Sequence, residues 1–312
     1  MSRNYGLGSR DMATAGTYAL NAAAGKKEVS FSTAATNSER WGKFCQWARE
    51  RDIKKMENVD KEVVRQYGKE LSEKVNSGEI SPSTAQNYLS SVNSVMGLAT
   101  KGKWESVSPT HDCEIQHRSA IREDAPGALD RATYSQAIDA VREQVGERAG
   151  AVVELARELG LRSKEASLLD ARQALIEARA RGAVTISDGT KGGLTREVPI
   201  TSPGQIEALG RAAQAQADAR AVMPAAESWK TWREGELRVA RELVQENTGG
   251  GLHDLRAAYA CQRYQALTGH AAPCSGGQIE DRERDQAARL AVAEELGHGR
   301  AEVTAAYVGG RK

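Results

Sequence analysis

The sequence lacks the features that define secreted and membrane proteins. It has no secretory signal and no apolar run approaching the ~18 residues of a membrane span. We therefore expect a protein of the reducing cytoplasm, with free thiols. A zinc site can be drawn from His253, Cys261, His270 and Cys274, but this spacing matches no common zinc pattern. The chain contains only four cysteines, none of them in a C-x-x-C pair: Cys45, Cys113, Cys261 and Cys274.

An excess of charge of one sign is also missing. The chain has 43 Lys and Arg against 42 Asp and Glu, a net charge of +1, so global charge says little about partners. Residues through Arg122 contain 18 basic and 14 acidic side chains, whereas the remainder contains 25 and 28. This mild tilt is compatible with a first part that faces nucleic acid.

The length of 312 residues is enough for about two domains. Residues 1–30 are rich in Gly, Ala, Ser and Asn without a sustained period, which predicts an N-terminal arm. Three amphipathic patterns in 31–108 predict a helical bundle. Pro109, Pro126 and Gly127 interrupt the periodicity and indicate a linker over 109–127. Residues 128–312 then form the second domain.

Start signals accompany each helical pattern of the bundle. In "NSERWGKFCQWARERD" the apolar side chains recur at i, i+3, i+4 and i+7, and Asn37 or Ser38 can cap the helix. Asp60 is the predicted N-cap of "DKEVVRQYGKELSEKV". Ser81 followed by Pro82 predicts the start of "SPSTAQNYLSSVNSVMGLA".

The second domain is predicted to be mainly helical with one small β-hairpin. In "AVTISDGTKGGLTREVPI", apolar residues alternate with polar ones on both sides of a Gly-rich turn. Residues 270–289 are turn-forming and then strongly charged, and we interpret them as an insertion between helices, with a passive loop favoured over a protein contact.

The stretch "GGGLHDLRAAY" places His253 and Arg256 on one face of a helix's first turn. Free backbone N–H groups and the positive dipole end attract anions there. An imidazole and a guanidinium added to such a turn suit a phosphate. Taken alone, the pair favours a helix start with an incidental histidine.

Five further residues could carry chemistry, although most of them also have a purely structural interpretation. Arg162 and Glu165 are three residues apart on one helical face, as many surface ion pairs are. Lys191 lies at the hairpin tip, where a lysine is often merely solvated. His298 occupies a helix-end turn between two glycines, and Tyr307 follows near the C-terminus, where a tyrosine often serves packing.

Together these motifs have an order that resembles one family. "GLRSKEASLL", "GTKGGLTREVPI", "HDLR" and "LGHGRAEVTAAY" resemble the catalytic domain of tyrosine site-specific recombinases, the phage-integrase family, over residues 128–310. The bundle of 31–108 is similar to the family's core-binding domain. The resemblance implies a mainly α, two-domain clamp on duplex DNA.

The resemblance implies DNA cutting and rejoining through a 3′-phosphotyrosyl intermediate, without metal, nucleotide or other cofactor. Guanidiniums suit the phosphate because they bind its oxygens bidentately in the ground and transition states. The implied catalytic roles are Tyr307 as nucleophile, Arg162 and Arg256 as phosphate ligands, Lys191 as proton donor to the 5′-oxygen, His253 in proton transfer, His298 on a phosphate oxygen and Glu165 as the residue that orients its neighbours.

DNA contacts are expected mainly from the bundle. Thr84 and Asn87 lie on the polar face of the "STAQNYLSSVNSV" helix, our candidate for major-groove entry, although a solvated face is an equal alternative. Phosphate contacts are expected from Lys43, Arg49, Lys101 and Lys103.

The partners implied are duplex DNA with paired recognition sites and further copies of the chain. We expect a tetramer on DNA, a monomer or weak oligomer in its absence, accessory directionality proteins, a nucleoid location and no membrane partner. The implied role is that of an integrase serving a mobile element.

The sequence departs from the family pattern in two places. The segment between Arg256 and His298 is longer than usual, and only "VGGRK" follows Tyr307, so we expect protomers to interlock through another surface. The alternatives to a recombinase are a type IB-like nicking-closing enzyme and a non-catalytic DNA-binding regulator derived from a recombinase.

Overall fold

The computed structural model describes residues 3–311 and divides the chain into two compact units, Met1–Ser119 and Ala120–Lys312. The described chain is mainly helical, with one two-stranded antiparallel sheet in the second unit. This confirms the predicted fold class. Within residues 3–311, no helix is both long and apolar enough to cross a bilayer.

The first unit packs its helices around an aromatic core. Trp41, Phe44 and Tyr67 are buried, with ring centroids of Phe44 and Tyr67 5.2 Å apart. The helix starts at Asp60 and Ser81 are confirmed, because both side chains accept a backbone N–H bond at the helix N-terminus. The helices of this unit are α1 (Met12–Gly25), α2 (Phe31–Glu50), α3 (Lys61–Asn76) and α4 (Pro82–Ala99).

The start predicted for the first pattern was wrong. Helix α2 is capped by Ser30, whose hydroxyl accepts the N–H of Thr33 at 3.1 Å, and not by Asn37 or Ser38. The first turns of α2 are largely polar and exposed, so the apolar period on which the expectation depended begins only later in the helix.

Residues 1–30 do not form the expected loose arm, because α1 is an integral part of the first core. Asp11 caps α1 by accepting the N–H of Thr14 at 2.9 Å. Gly16 lets α1 approach Trp41 so closely that an added Cβ would stand 2.1 Å from the indole nitrogen. The indole N–H donates to the Met12 carbonyl at 3.0 Å. Alanine and glycine therefore act here as small interface residues on a helix.

The expected linker over 109–127 also differs from the structure. Cys113 and Ile115 are buried in the first core, and the Ser72 hydroxyl donates to the Glu114 carbonyl. From Ala120 onward the chain belongs to the second unit, within which the Arg122 N–H donates to the Ala305 carbonyl at 2.9 Å. Proline interrupts the helical period here without preventing the segment from packing.

The second unit surrounds its core with helices and carries the hairpin at one side. Strands β1 (Ala183–Ile186) and β2 (Arg196–Pro199) pair antiparallel, with Val184 opposite Val198, as the alternation predicted. The helices are α5 (Arg131–Gln144), α6 (Glu147–Glu158), α7 (Ser163–Leu168), α8 (Ala171–Arg181), α9 (Pro203–Gln216), α10 (Trp229–Glu234), α11 (Glu236–Thr248), α12 (Leu252–Thr268), α13 (Arg282–Glu295) and α14 (Ala305–Val308).

The charged part of 270–289 is not a passive loop, because it begins helix α13 and enters the core. Asp285 and Arg289 are buried and paired at 2.8 Å. Asp285 also accepts from the Tyr264 hydroxyl, and Arg289 donates to the Gly309 carbonyl. These two hydrogen bonds connect α13 with α12 and with the segment that follows Tyr307. The periodicity of apolar residues does not predict such contacts.

Candidate active site

The run of glycines before His253 makes a sharp turn between two helices. Gly249 ends α11 in the left-handed conformation, with φ of 74°. Gly250 lies where an added Cβ would stand 2.5 Å from the Asp254 side chain. Gly251 is the N-cap of α12, so His253 and Arg256 fall in the first turns of that helix, as predicted.

Arg256 lies at the centre of the site and is only 1% exposed. Its Nη1 donates to the Gly160 carbonyl and its Nη2 donates to the Leu296 carbonyl. Its Nε is 3.5 Å from the Tyr307 hydroxyl, and its guanidinium lies 5.7 Å from the centre of the tyrosine ring. Burial is the main cause that lowers the pKa of Arg256 to about 10, which leaves it charged at neutral pH.

Tyr307 lies between the two histidines. Its hydroxyl is 3.1 Å from Nε2 of His298, and its ring centroid is 5.3 Å from that of His253. The structure thus places His298, rather than His253, in hydrogen-bond contact with the tyrosine hydroxyl.

Helix α14 also contacts a cysteine of α12: the Cys261 thiol donates to the Tyr307 backbone carbonyl at 3.4 Å. The Cys261 and Cys274 sulfurs are 3.5 Å apart. His270 lies toward Glu280 instead, at 3.4 Å, so the two thiols contact the tyrosine segment and do not share a cluster with that histidine.

Arg162 begins helix α7 and is bonded to Glu165 in the way that its spacing predicted. Glu165 Oε1 accepts from Arg162 Nη1 at 2.6 Å, and Oε2 accepts the Arg162 backbone N–H at 2.8 Å. Arg162 Nη2 also donates to the Leu296 carbonyl at 3.3 Å. The Arg162 side chain keeps 24% exposure while Glu165 has none, so this pair differs from an exposed surface ion pair.

Sequence reasoning missed Arg196, which forms a two-point ion pair with Glu165. Its Nη1 and Nη2 donate to the two carboxylate oxygens at 3.0 and 2.6 Å. A signal existed: Arg196 is two residues before Val198 in β2, so strand alternation places both on the buried face. A buried arginine needs a carboxylate partner.

Positive charge is in excess around the site. Burial raises the pKa of Glu165, but the hydrogen bonds and charge of Arg196 and then of Arg162 outweigh it and lower the pKa to about 2. Desolvation, together with repulsion by Arg256 and Arg162, lowers the pKa of His298 to about 4. Partial desolvation and the same arginines also lower the pKa of His253. Both imidazoles are therefore neutral at pH 7, in a positively charged setting suited to an anion.

Lys191 is at the hairpin tip and exposed, as predicted, but in residues 3–311 its side chain has no hydrogen bond or ion pair with the arginines, the histidines or Tyr307. The tip itself approaches the site. Gly189, with φ of 71°, lies where an added Cβ would stand 2.8 Å from the Lys164 carbonyl in α7. The lysine is thus carried on a loop that abuts the helix of Arg162.

The candidate DNA contacts of the first unit have mixed environments. Thr84 and Asn87 are half-buried on α4, and Arg49 pairs with Asp11 at 3.1 Å. Lys43, Lys101 and Lys103 are exposed, and the Lys43 ammonium lies 5.6 Å from the Tyr88 ring.

A family model described as Integrase matches residues 117–262. A search of curated proteins finds no match. Among solved structures, the chain is similar to the XerH site-specific recombinase bound to difH, with 16% identity and a TM-score of 0.56 over 94% of this chain and 82% of that one. A lambda integrase dimer bound to a COC′ core site is 13% identical, with a TM-score of 0.58 over 94% of this chain and 77% of that one. The Tn1549 transposon integrase in complex with transposon right-end DNA is 10% identical, with a TM-score of 0.60 over 95% of each chain.

The helical fold with a small hairpin matches the fold of the tyrosine recombinases solved on DNA. Over residues 117–262 the sequence itself is similar to the integrase family.

Proposed function

We propose that this protein is a site-specific recombinase that cuts and rejoins duplex DNA with Tyr307 as its nucleophile. The observation that carries the proposal is that Arg256 and His298 both contact the Tyr307 hydroxyl, while Arg162 shares the Leu296 carbonyl with Arg256. The integrase match and the fold shared with recombinases solved on DNA support it. A role in a mobile element is consistent with the similarity to the Tn1549 transposon integrase.

The scissile phosphate is proposed to bind between Arg162 and Arg256. Two backbone carbonyls hold the Nη groups of Arg256, so that its Nε edge faces the tyrosine hydroxyl. Arg162 is partly exposed and can reach an incoming phosphate. Charge that develops on the phosphate oxygens during attack is stabilised by these fixed guanidiniums.

The covalent step exchanges one phosphate ester for another. The Tyr307 oxygen bonds to phosphorus, the bond from phosphorus to the 5′-oxygen breaks, and the 5′-oxygen leaves as a hydroxyl after it takes up a proton. Lys191 is proposed to supply this proton once the hairpin tip meets DNA. Because the phosphotyrosyl ester keeps the phosphodiester bond energy, a 5′-hydroxyl of a partner strand can reverse the step.

His298 is proposed to orient the nucleophile before attack and then to contact a phosphate oxygen, as the resemblance implies. In the free protein its low pKa makes it a weak base, since neighbouring arginines repel a second positive charge. A bound phosphodiester adds negative charge beside it and should raise that pKa. Substrate binding would thus make proton removal from Tyr307 easier, with His253 as the flanking imidazole.

Binding to DNA outside the site is assigned to the first unit. Thr84 and Asn87 on α4 are the proposed base-reading residues, and Lys43, Arg49, Lys101 and Lys103 are the proposed phosphate contacts. We further propose a tetramer on paired sites, because lambda integrase, which shares the fold, is solved as a tetramer on a Holliday junction. Accessory directionality proteins remain part of the proposal.

The experiment uses supercoiled plasmids that carry one or two copies of DNA flanking the protein's own gene, without metal or nucleotide. A recombinase converts two-site plasmids into deleted or inverted products, and Tyr307→Phe abolishes them. A nicking-closing enzyme relaxes plasmids with one site or none equally well and yields no rearranged products. A non-catalytic regulator binds DNA but gives neither result, and this outcome would overturn the proposal.

A further inference from the structure

Arg196 has no role in the reaction steps above, yet it joins three elements of the site. It lies on β2, is 8% exposed, and meets both oxygens of Glu165 on α7. Its remaining edge donates from Nε to the Glu295 carbonyl at 2.8 Å, at the end of α13. A guanidinium is planar and rigid, so three contacts of this kind fix the relative positions of the groups that make them.

The first consequence concerns Arg162. The Glu165 oxygens that receive Arg196 are the same two that receive the Arg162 side chain and backbone N–H. Rotation of the carboxylate would break the bonds to Arg162, and the two-point pair with Arg196 prevents that rotation. The orientation of Arg162 therefore depends on a residue that it does not touch.

The second consequence concerns the carbonyl after Glu295. Leu296 accepts hydrogen bonds from both Arg162 and Arg256. By holding the Glu295 carbonyl, Arg196 fixes the end of α13 from which the Leu296 carbonyl projects. The turn that follows is close as well, since a Cβ added to Gly297 would lie 3.0 Å from Arg196 Cδ.

We propose that Arg196 is a positioning residue for strand cleavage, which orients Arg162 through the Glu165 carboxylate and steadies the Leu296 carbonyl shared with Arg256. The inference rests on the proposed function for its kinetic part. Among the described residues Arg196 makes no hydrogen bond to Tyr307, so its effect is transmitted through its neighbours.

The test measures the rate of covalent adduct formation on a nicked duplex at saturating DNA, with Kd measured in parallel. Arg196→Met should slow the adduct by roughly 100-fold, as loss of geometry at a reacting centre does, while Kd changes little. Arg196→Lys keeps the positive charge but loses the planar guanidinium that bonds both carboxylate oxygens. Its rate of adduct formation should lie between those of Arg196→Met and the wild type. Arg142→Met is the matched control, because it removes a partly buried ion pair to Glu154 on α6.

A double-mutant cycle separates positioning from general destabilisation. Glu165→Gln should also slow adduct formation, and the Arg196→Met/Glu165→Gln protein should be no slower than the slower single variant, because both changes interrupt one path. Additive losses would overturn the proposal. So would a wild-type rate in Arg196→Met, or a loss no larger than in Arg142→Met.

Crystal structures of the wild type and of Arg196→Met test the positioning role of Arg196 without an activity measurement. The proposal expects the contact between Arg162 Nη1 and Glu165 Oε1 to be lost in the variant, and an unchanged contact overturns it. If wild-type protein forms no adduct on any duplex, the proposed function fails, whereas this structural comparison still tests the role of Arg196.

Discussion

The Tyr307 hydroxyl lies 3.1 Å from Nε2 of His298, nine residues earlier in the chain. Both side chains belong to the segment after α13, so a local turn sets the position of the tyrosine hydroxyl. The arginines come from α12 and from the start of α7, and only the tertiary fold brings them to that turn. The site thus combines a local tyrosine–imidazole pair with two arginines that are distant in sequence.

The protonation of His298 should depend on bound DNA. The NMR titration midpoint of its ring in the free protein should fall near pH 4, because burial and the neighbouring arginines disfavour the imidazolium. In Tyr307→Phe bound to duplex DNA the midpoint should rise, since a phosphate adds negative charge. A midpoint near the ordinary ~6.5 in the free protein would contradict this description of the site.

The buried Glu165 carboxylate should make the free energy of unfolding fall at acid pH. The folded-state pKa of Glu165 is about 2, below its ordinary 4.5, so its contribution is present above pH 4.5 and is lost as pH falls toward 2. The amount at stake is about 3 kcal/mol of unfolding free energy. Urea unfolding of Glu165→Gln should give lower stability at pH 7 and a weaker dependence on acid.

The control for Glu165→Gln is Glu207→Gln, whose side chain is 63% exposed and which should follow the wild type. An equal acid dependence in wild type and Glu165→Gln would contradict the assignment.

Two glycines of the hairpin tip provide a matched pair of variants. Gly189 and Gly192 have φ of 71° and 79°, so alanine at either costs about 1 kcal/mol of backbone strain. Only at Gly189 would the new Cβ collide with the Lys164 backbone. Gly189→Ala should therefore lower the unfolding free energy more than Gly192→Ala and slow cleavage by displacing the tip from α7. Equal effects on stability would show that the tip does not abut α7.

The basic residues of the first unit should be separable by the salt dependence of DNA binding. Lys101→Ala or Lys103→Ala should reduce the slope of log K against log salt by about 1, the value for one phosphate contact. Arg49→Ala should change this slope less, since Arg49 already pairs with Asp11. Fluorescence anisotropy from low to moderate salt measures the slopes, and unchanged slopes in both lysine variants would remove them from the interface.

Much of the site could be predicted from sequence because its chemistry is carried by motifs in a fixed order. The Arg162–Glu165 spacing predicts an ion pair that the structure contains, and the stretch around His253 predicts the start of α12. Arg196 was within reach of the same reasoning, because its phase with Val198 places a charge on the buried face of β2.

Other features could not be predicted because they depend on tertiary packing. Backbone carbonyls of Gly160 and Leu296 anchor Arg256, and no side-chain pattern marks such acceptors. Helix α1 was missed because its alanines and glycine give little apolar contrast, although they fit closely against Trp41. Buried ion pairs such as Asp285–Arg289 look like solvated charges in a sequence.

Covalent trapping tests the central claim most directly. Wild-type protein and Tyr307→Phe are mixed with nicked duplexes from DNA flanking the gene, denatured, and analysed by gel and by mass spectrometry of the peptide bound to DNA. The account predicts an adduct at the 3′-phosphate that maps to Tyr307, with a free 5′-hydroxyl on the released strand, and no adduct in the variant. An adduct that persists in Tyr307→Phe, or maps to another residue, would contradict the account.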